Sequence, residues 1–417
     1  MDTLTKIKAS DLDWIHITIL AGTPLIALVG AHTTPLTPPT LMWSIIYYFF
    51  TGLGITAGYH RYWAHRAYDA TRAWQFVILA AATGAMEGSA KWWCRGHRIH
   101  HRFTDTEKDP YNAKNGFFWS HLGWMIMKQK KNATVDISDL NSDPWIRFQH
   151  KYYLFLSVFM AFVFPTLVAG FGWGDWAGGY FYAGVARLVF VHHATFCVNS
   201  LAHYLGDHTF DDKRTPRDHY LTAFVTLGEG YHNFHHEFPS DYRNAIKVHQ
   251  YDPTKWAIWL GSLVGLTYNL KMFPSNEIEK GRILMIQKRI DAVKKTLDYG
   301  VPVEELPVLT FSEVKAKIAE SGKQLLIIEE VVYDVSKFME DHPGGKGFLK
   351  ASVGRDVTAS FNGGASNSTV ASVARYTARV HGSKVACVTR TLARLTRSHK
   401  QLAERADTVR AGYVVGV

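Results

Sequence analysis

The sequence predicts a mainly α-helical protein: a four-span membrane domain with a histidine-rich cap on its cytosolic side, followed by a small α+β domain. Three observations carry this. Four apolar runs are close to the length that crosses a bilayer, nine histidines gather around them, and beyond Met272 the spans give way to a Leu/Ile/Val strand pattern. With 417 residues, 47% hydrophobic and 20% charged, the chain has room for both parts.

The apolar runs occupy Trp14 to Val29, Leu41 to Ala57, Tyr152 to Phe171 and Gly179 to Val198. Each is near the ~20 residues that span a hydrocarbon core. A fifth stretch, Trp74 to Met86, is shorter and contains Gly84, so it reads as a helix lying in or against the membrane. The connections 31–40 and 170–179 contain no Lys or Arg, whereas the N-terminus, the 58–151 segment and everything after 203 are rich in both. By the positive-inside rule those three lie in the cytosol, with both termini. No cleavable signal segment is expected.

All the histidine motifs then share one face. They read His60-Arg-Tyr-Trp-Ala-His65, His97-Arg-Ile-His100-His101, Asn199-Ser-Leu-Ala-His203 and His232-Asn-Phe-His235-His236. On a helix, i, i+3 and i+4 leave one side, so the two HxxHH clusters each offer three imidazoles together, and Asn199 shares a face with His203. His60 and His65 are five apart, roughly 140° around an α-helix, which places one of them at a helix end. Imidazole is the commonest metal ligand, and this density suits a site with more than one metal. Cys94, Cys197 and Cys387 form no CxxC pair, so a disulfide framework is not expected. The net charge of +10 comes with no nucleic-acid motif, and anionic head groups or a phosphate-bearing substrate account for it.

The stretches Gly54-Ile-Thr-Ala-Gly-Tyr-His-Arg-Tyr-Trp-Ala-His65, His97-Arg-Ile-His-His-Arg-Phe-Thr-Asp-Thr-Glu-Lys-Asp-Pro110 and Gly228-Glu-Gly-Tyr-His-Asn-Phe-His-His-Glu-Phe-Pro239 resemble the membrane acyl-CoA desaturases, the stearoyl-CoA Δ9 type in particular. The resemblance covers about the first 270 residues. It implies two iron ions held by His60, His65, His97, His100, His101, His203, His232, His235 and His236, with Asn199 reaching one metal through a water. His192 and His193 fall outside that set and read as polar contacts within the fourth span. The implied substrate is acyl-CoA with O2, in an endoplasmic-reticulum membrane. Trp93 and Thr195 would sit near the bend of an acyl tunnel, and Arg95 and Lys128 would meet the CoA head group, where cations suit phosphate. Membrane-interface packing is the competing reading of Trp93. Gly96 stands where many relatives carry an acid, so one head-group contact is expected to be missing.

From about Leu306 the chain resembles cytochrome b5, in the fungal arrangement with that domain at the C-terminus. The Leu325 to Tyr333 strand pattern leads into His342-Pro-Gly-Gly345, and the resemblance makes His342 an axial ligand of haem b. A second imidazole is expected just after Phe361-Asn-Gly-Gly364, where Ala365-Ser-Asn-Ser-Thr-Val370 stands instead. The second ligand is therefore missing or supplied by His381. From Ala365 onward the composition is Arg/Ala/Val/Ser/Thr-rich and no longer resembles the family. The expected domains are 1–272 (membrane), 273–305 (charged helix and linker), 306–390 (cytochrome b5-like) and 391–417 (basic tail). Electrons would come from NADH-cytochrome b5 reductase, through this domain or an external cytochrome b5. A membrane di-iron fatty acyl hydroxylase and a non-catalytic metal- or haem-binding membrane protein stand as alternatives.

Overall fold

The computed structural model describes residues 8–129, 133–298, 302–362 and 408–411. The chain forms two compact units, Met1–Ile290 and Asp291–Val417.

In the first unit four helices are long and apolar enough to cross a membrane: Trp14–Thr33, Pro38–Ala64, Tyr153–Trp173 and Trp176–Tyr204. The first, α1 (Trp14–Thr33), starts where the Asp13 carboxylate accepts from the His16 N–H at 3.2 Å. The second opens with Pro38, whose missing N–H falls where no intrahelical bond is due. Its first part, α2 (Pro38–Leu53), is regular, and its last eleven residues, Gly54–Ala64, are wound as a π-helix.

That winding resolves the five-residue spacing. In a π-helix the bonds run from i to i+5, and the His65 N–H donates to the His60 carbonyl at 3.1 Å. The two imidazoles therefore leave the same side, with ring centroids 4.9 Å apart. The helix end expected at one of them falls at His65, which follows the last helical residue.

The short apolar stretch forms α3 (Arg72–Gly84), thirteen residues against the π-wound segment, with Phe76 and Val77 exposed. Gly54 makes the approach possible, because a Cβ there would lie 2.2 Å from the Ala82 nitrogen. Next comes α4 (Ala90–Phe103), capped by the Ser89 hydroxyl accepting from the Trp92 N–H at 3.4 Å. Ile55, Tyr59, Ile78, Leu79, Ile146 and Val191 form the core beneath these helices. The third and fourth spans carry π-wound stretches of their own, Phe159–Val163 and Gly179–Ala186. Past the fourth span the chain builds a polar cap. It contains the helices His232–Glu237 and Pro253–Leu263 and then β2 (Thr267–Tyr268), which pairs antiparallel with β1 (Asp69–Ala70) from the connection between the second and third spans.

In the second unit β3 (Val308–Thr310) leads into the helix Phe311–Ser321 through a reciprocal cap. Glu313 accepts from the Thr310 N–H at 2.6 Å, and the Thr310 hydroxyl accepts from the Glu313 N–H at 3.3 Å. A hairpin joins β4 (Leu325–Ile328) to β5 (Val331–Asp334) through Glu329 and Glu330, both at positive φ (51° and 64°). Two-residue hairpin turns favour that backbone and usually find it with Asn or Gly. The sheet order is β3-β6-β5-β4, where β6 (Thr408–Ala411) runs antiparallel to β3 and parallel to β5. This strand lies in the 391–417 segment that composition reads as a basic tail. Val314, Leu325, Ile327 and Val332 form the small core.

A network of buried charges in the first unit meets at Arg61. Its guanidinium donates to Glu229 at 2.9 Å, to both oxygens of Asp252 at 3.0 and 3.1 Å, and to the Tyr242 carbonyl at 2.8 Å. Removing one partner of such a network strands the others in low dielectric. Arg61→Leu is expected to destabilise the first unit by about 3–5 kcal/mol, read as a fall in the midpoint of thermal unfolding in detergent; an unchanged midpoint would contradict the assignment.

Candidate metal centre and adjoining cavity

Four elements deliver the nine histidines. The π-wound end of the second span presents His60 and His65, and α4 presents His97, His100 and His101. The end of the fourth span presents His203, and the helix His232–Glu237 presents His232, His235 and His236. The structure gathers them into two groups. His60, His65, His97, His101 and His235 form one, and His100, His203, His232 and His236 the other, the candidate ligand atoms of each group lying within 4.8 Å of one another. Both HxxHH clusters are split: their i, i+4 pairs, His97/His101 and His232/His236, stay together, while His100 and His235 cross to the opposite group.

Within each group the Nε2 atoms face one another. The separations are 2.8 Å for His65 and His97, 2.9 Å for His60 and His235, and 3.0 Å for His235 and His101. In the second group they are 3.2 Å for His100 and His236 and 3.1 Å for His236 and His232. Two imidazoles about 2.1 Å from one metal and at right angles would place their nitrogens about 3 Å apart.

The outer nitrogens explain which way the rings turn. The Nδ1–H of His60 donates to Glu229 at 3.0 Å, that of His100 to Asp109 at 2.9 Å, and that of His203 to the Thr215 hydroxyl at 2.7 Å. A proton fixed on Nδ1 leaves the Nε2 lone pair pointing inward. His203 Nε2 is buried without a hydrogen-bond partner. Burial first, and the neighbouring imidazoles next, hold His65, His97, His101, His232, His235 and His236 well below the usual histidine range. Burial alone would raise the Glu229 carboxyl, but His60 and Arg61 beside it win and bring it down to about 2. Neutral rings with converging lone pairs form a donor set that fits divalent transition metals.

A cavity of about 800 Å³ adjoins the first group and is lined by His60 and His97. Trp93, Arg95, Lys128, Thr195 and Asn199 all line it. Its lining includes the exposed cation Lys128 and the half-buried Arg95 as well as the buried Ile55, Val191 and Leu227. Arg95 donates to the Ala133 carbonyl at 3.2 Å and Lys128 to the Ser10 carbonyl at 2.8 Å. Trp93 stacks on His97, centroids 5.0 Å apart and planes 22° apart. His192 instead donates to the Ala85 carbonyl at 2.9 Å, and His193 pairs with His121 at 3.1 Å.

Sequence reasoning passed over four polar residues here. Asp109 and Glu229 lie inside the quoted motifs, nine residues after His100 and three before His232, yet only the fold shows which imidazole each one holds. Thr215 lies in a loop with no motif. Glu87 is an isolated acid after an apolar stretch; it lines the cavity and accepts from Thr195 at 2.7 Å and from Trp93 at 3.2 Å. Burial pushes its carboxyl up to about 8 against those two hydrogen bonds.

In the second unit His342 donates from Nδ1 to the Gly345 carbonyl at 3.3 Å, which leaves its half-buried Nε2 free to accept or to ligate. His381 lies outside the described residues.

Outer partners of ligating histidines typically contribute 10- to 100-fold to metal affinity. Asp109→Asn is expected to weaken retention of metal by about 10- to 100-fold, measured as the metal-to-protein ratio after dialysis against a graded chelator. Retention equal to the parent's would show that His100 does not ligate through Nε2.

A model of the fatty acid desaturase family matches residues 35–262. A model of the cytochrome b5-like heme/steroid binding domain matches residues 310–416, reaching past the point where composition ceases to resemble that family. The chain is 52% identical over 355 residues to a probable acyl-CoA desaturase of Schizosaccharomyces pombe, covering 85% of this chain and 73% of the relative. It is 48% identical over 359 residues to acyl-CoA desaturase 1 of Saccharomyces cerevisiae, covering 85% and 70%. Stearoyl-CoA desaturase of Homo sapiens is 36% identical over 283 residues, covering 66% and 77%.

Proposed function

The chain belongs to the fatty acid desaturase family, and from that premise we propose that this acyl-CoA desaturase introduces a cis double bond at carbon 9 of saturated C16 and C18 acyl-CoA. Its desaturase and cytochrome b5 domains imply metal and haem binding. Two irons would be held, one by each histidine group, with Asn199 reaching one of them through a water. The observation that carries the reading is the pair of inward-facing imidazole groups, the first of which adjoins a cavity lined by both cations and buried apolar side chains.

When bound, the irons would supply the oxidation: O2 takes two hydrogen atoms from the acyl chain, plus two electrons and two protons from outside, leaving an alkene and two waters. The protein's own groups do the rest. Arg95 and Lys128 meet the CoA phosphates, since cations at the rim complement that charge. Ile55, Val191 and Leu227 take the acyl chain and keep water from the oxidising site. Trp93 and Thr195 bend the chain beside His97. Glu229, Asp109 and Thr215 hold the Nδ1 protons, so that three imidazoles keep one tautomer throughout.

Haem b, when bound, would be held by His342, with the second ligand missing or supplied by His381, and would pass on electrons from NADH-cytochrome b5 reductase; an external cytochrome b5 is the alternative carrier. The four long apolar helices make a multi-pass membrane protein. The Lys/Arg distribution supports an endoplasmic-reticulum orientation with both termini cytosolic and membrane lipids around the spans.

Expression in cells unable to make unsaturated fatty acids, followed by gas chromatography, is expected to give 9-cis C16 and C18 products, and His100→Ala none. A hydroxylated product, or undiminished desaturation by His100→Ala, would overturn the reading. For the second unit, a reduced-minus-oxidised spectrum of the purified chain separates the two alternatives: a bis-histidine b-type signature abolished by His342→Ala and by His381→Ala makes His381 the second ligand, and no such signature in the parent means that the second ligand is missing. Survival of the signature in His381→Ala would remove that residue as a ligand.

A further inference from the structure

The fourth span reaches one short turn of the chain with three polar side chains in succession. Arg187 donates to the Gly84 carbonyl at 2.8 Å, His192 to the Ala85 carbonyl at 2.9 Å, and Thr195 to the Glu87 carboxylate at 2.7 Å. The helix thus registers the turn almost residue by residue. The turn is constrained by its own backbone as well, with Met86 at φ 54° and Gly88 at φ 96°. From Glu87 the connection continues, since its other oxygen accepts from the Trp93 indole N–H at 3.2 Å, and that indole lies on His97. Met86, Glu87, Gly88, Trp93, His192 and Thr195 all line the cavity.

Arg187 stands out for what it lacks. It is buried, and among the described residues no carboxylate pairs with it. Its remaining donors go to the Ala161 carbonyl at 2.8 Å and the Ala183 carbonyl at 3.0 Å, both in π-wound stretches, and its guanidinium lies 4.9 Å from the Tyr47 ring centre. An unpaired cation inside a membrane span is unfavourable in itself and by default marks a functional constraint. Here it ties the third span, the fourth span and the 84–87 turn into one body.

We propose that Arg187 and His192 are positioning residues that fix, through the 84–87 turn and Trp93, where the acyl chain bends relative to the metal groups, and so which carbon–carbon bond is desaturated. This rests on the desaturase reading above. A saturated chain offers no polar handle, so the position of the double bond is set by the distance from the cavity's bend to the oxidising site. A turn tethered to the fourth span at three points holds that distance constant; a turn freed at one point lets neighbouring bonds reach the site.

The test uses the purified full-length chain with reductase, cytochrome b5, NADH and stearoyl-CoA. Double-bond position is read by mass spectrometry of dimethyl disulfide adducts, and metal content is measured on the same samples. The parent is expected to give one positional isomer. His192→Leu and Arg187→Lys, with metal content retained, are expected to raise an adjacent isomer about tenfold, the scale on which an apolar site discriminates one methylene. His192→Gln, which keeps a donor for the Ala85 carbonyl, should restore the single isomer. If Arg187→Lys does not fold, the two His192 variants decide the matter. An unchanged single isomer from metal-loaded His192→Leu, at whatever rate, would overturn the proposal. No product from the parent would remove the desaturase reading, and this inference with it.

Discussion

Lone pairs aimed at one another repel, and nine buried or half-buried imidazoles are arranged here so that theirs converge. Everything near them serves to keep that arrangement from relaxing. Burial disfavours protonation of His65, His97, His101, His232, His235 and His236, so protons do not fill the gaps between those rings. The Nδ1 atoms of His60, His100 and His203 are tied to Glu229, Asp109 and Thr215, which stops those rings from flipping. The result is two pockets of basic nitrogen that a divalent metal stabilises and that nothing else in the described chain occupies.

Glu229 links this site to the stability of the whole cap. It accepts from His60 with one oxygen and from Arg61 with the other, two consecutive residues of the π-wound segment. Asp252, the second carboxylate on Arg61, also accepts from the backbone N–H groups of Asn244 and Lys255, the latter as the cap of the helix Pro253–Leu263. Buried charges are tolerable when paired and fully bonded. Here the bonds of one such network set both the direction of a candidate ligand and the folding of the loops above it.

The π-wound segments have a shared logic. Each adds a residue to a turn, changing which side chains leave a given face, and such insertions recur at functional sites. In the second span the winding brings His60 and His65 to one side. In the third and fourth spans it accompanies carbonyls that Arg187 satisfies.

Much of this was legible in the sequence, and the limits of legibility are physical. Apolar runs are long and local, so the four spans could be counted, and the structure places a long apolar helix on each. The helix faces of the HxxHH clusters follow from the 3.6-residue period, while the set of nine histidines rests on the resemblance to the desaturases. The π-winding at His60 did not, because a one-residue insertion in a helix has no composition signal. Nor did the Glu329-Glu330 turn, which lacks the glycine or asparagine that marks such hairpins, or β6, four residues within a stretch that composition reads as tail. The amino-acid order settles which donors exist and, where the helix is regular, which side of it they leave. Only the tertiary structure decided that His100 and His235 cross to the opposite groups, that Asp109 and Glu229 hold particular rings, and that Arg187 grips a turn more than a hundred residues away. Periodicity constrains a side chain relative to its own helix, whereas its partner depends on which other helix packs there.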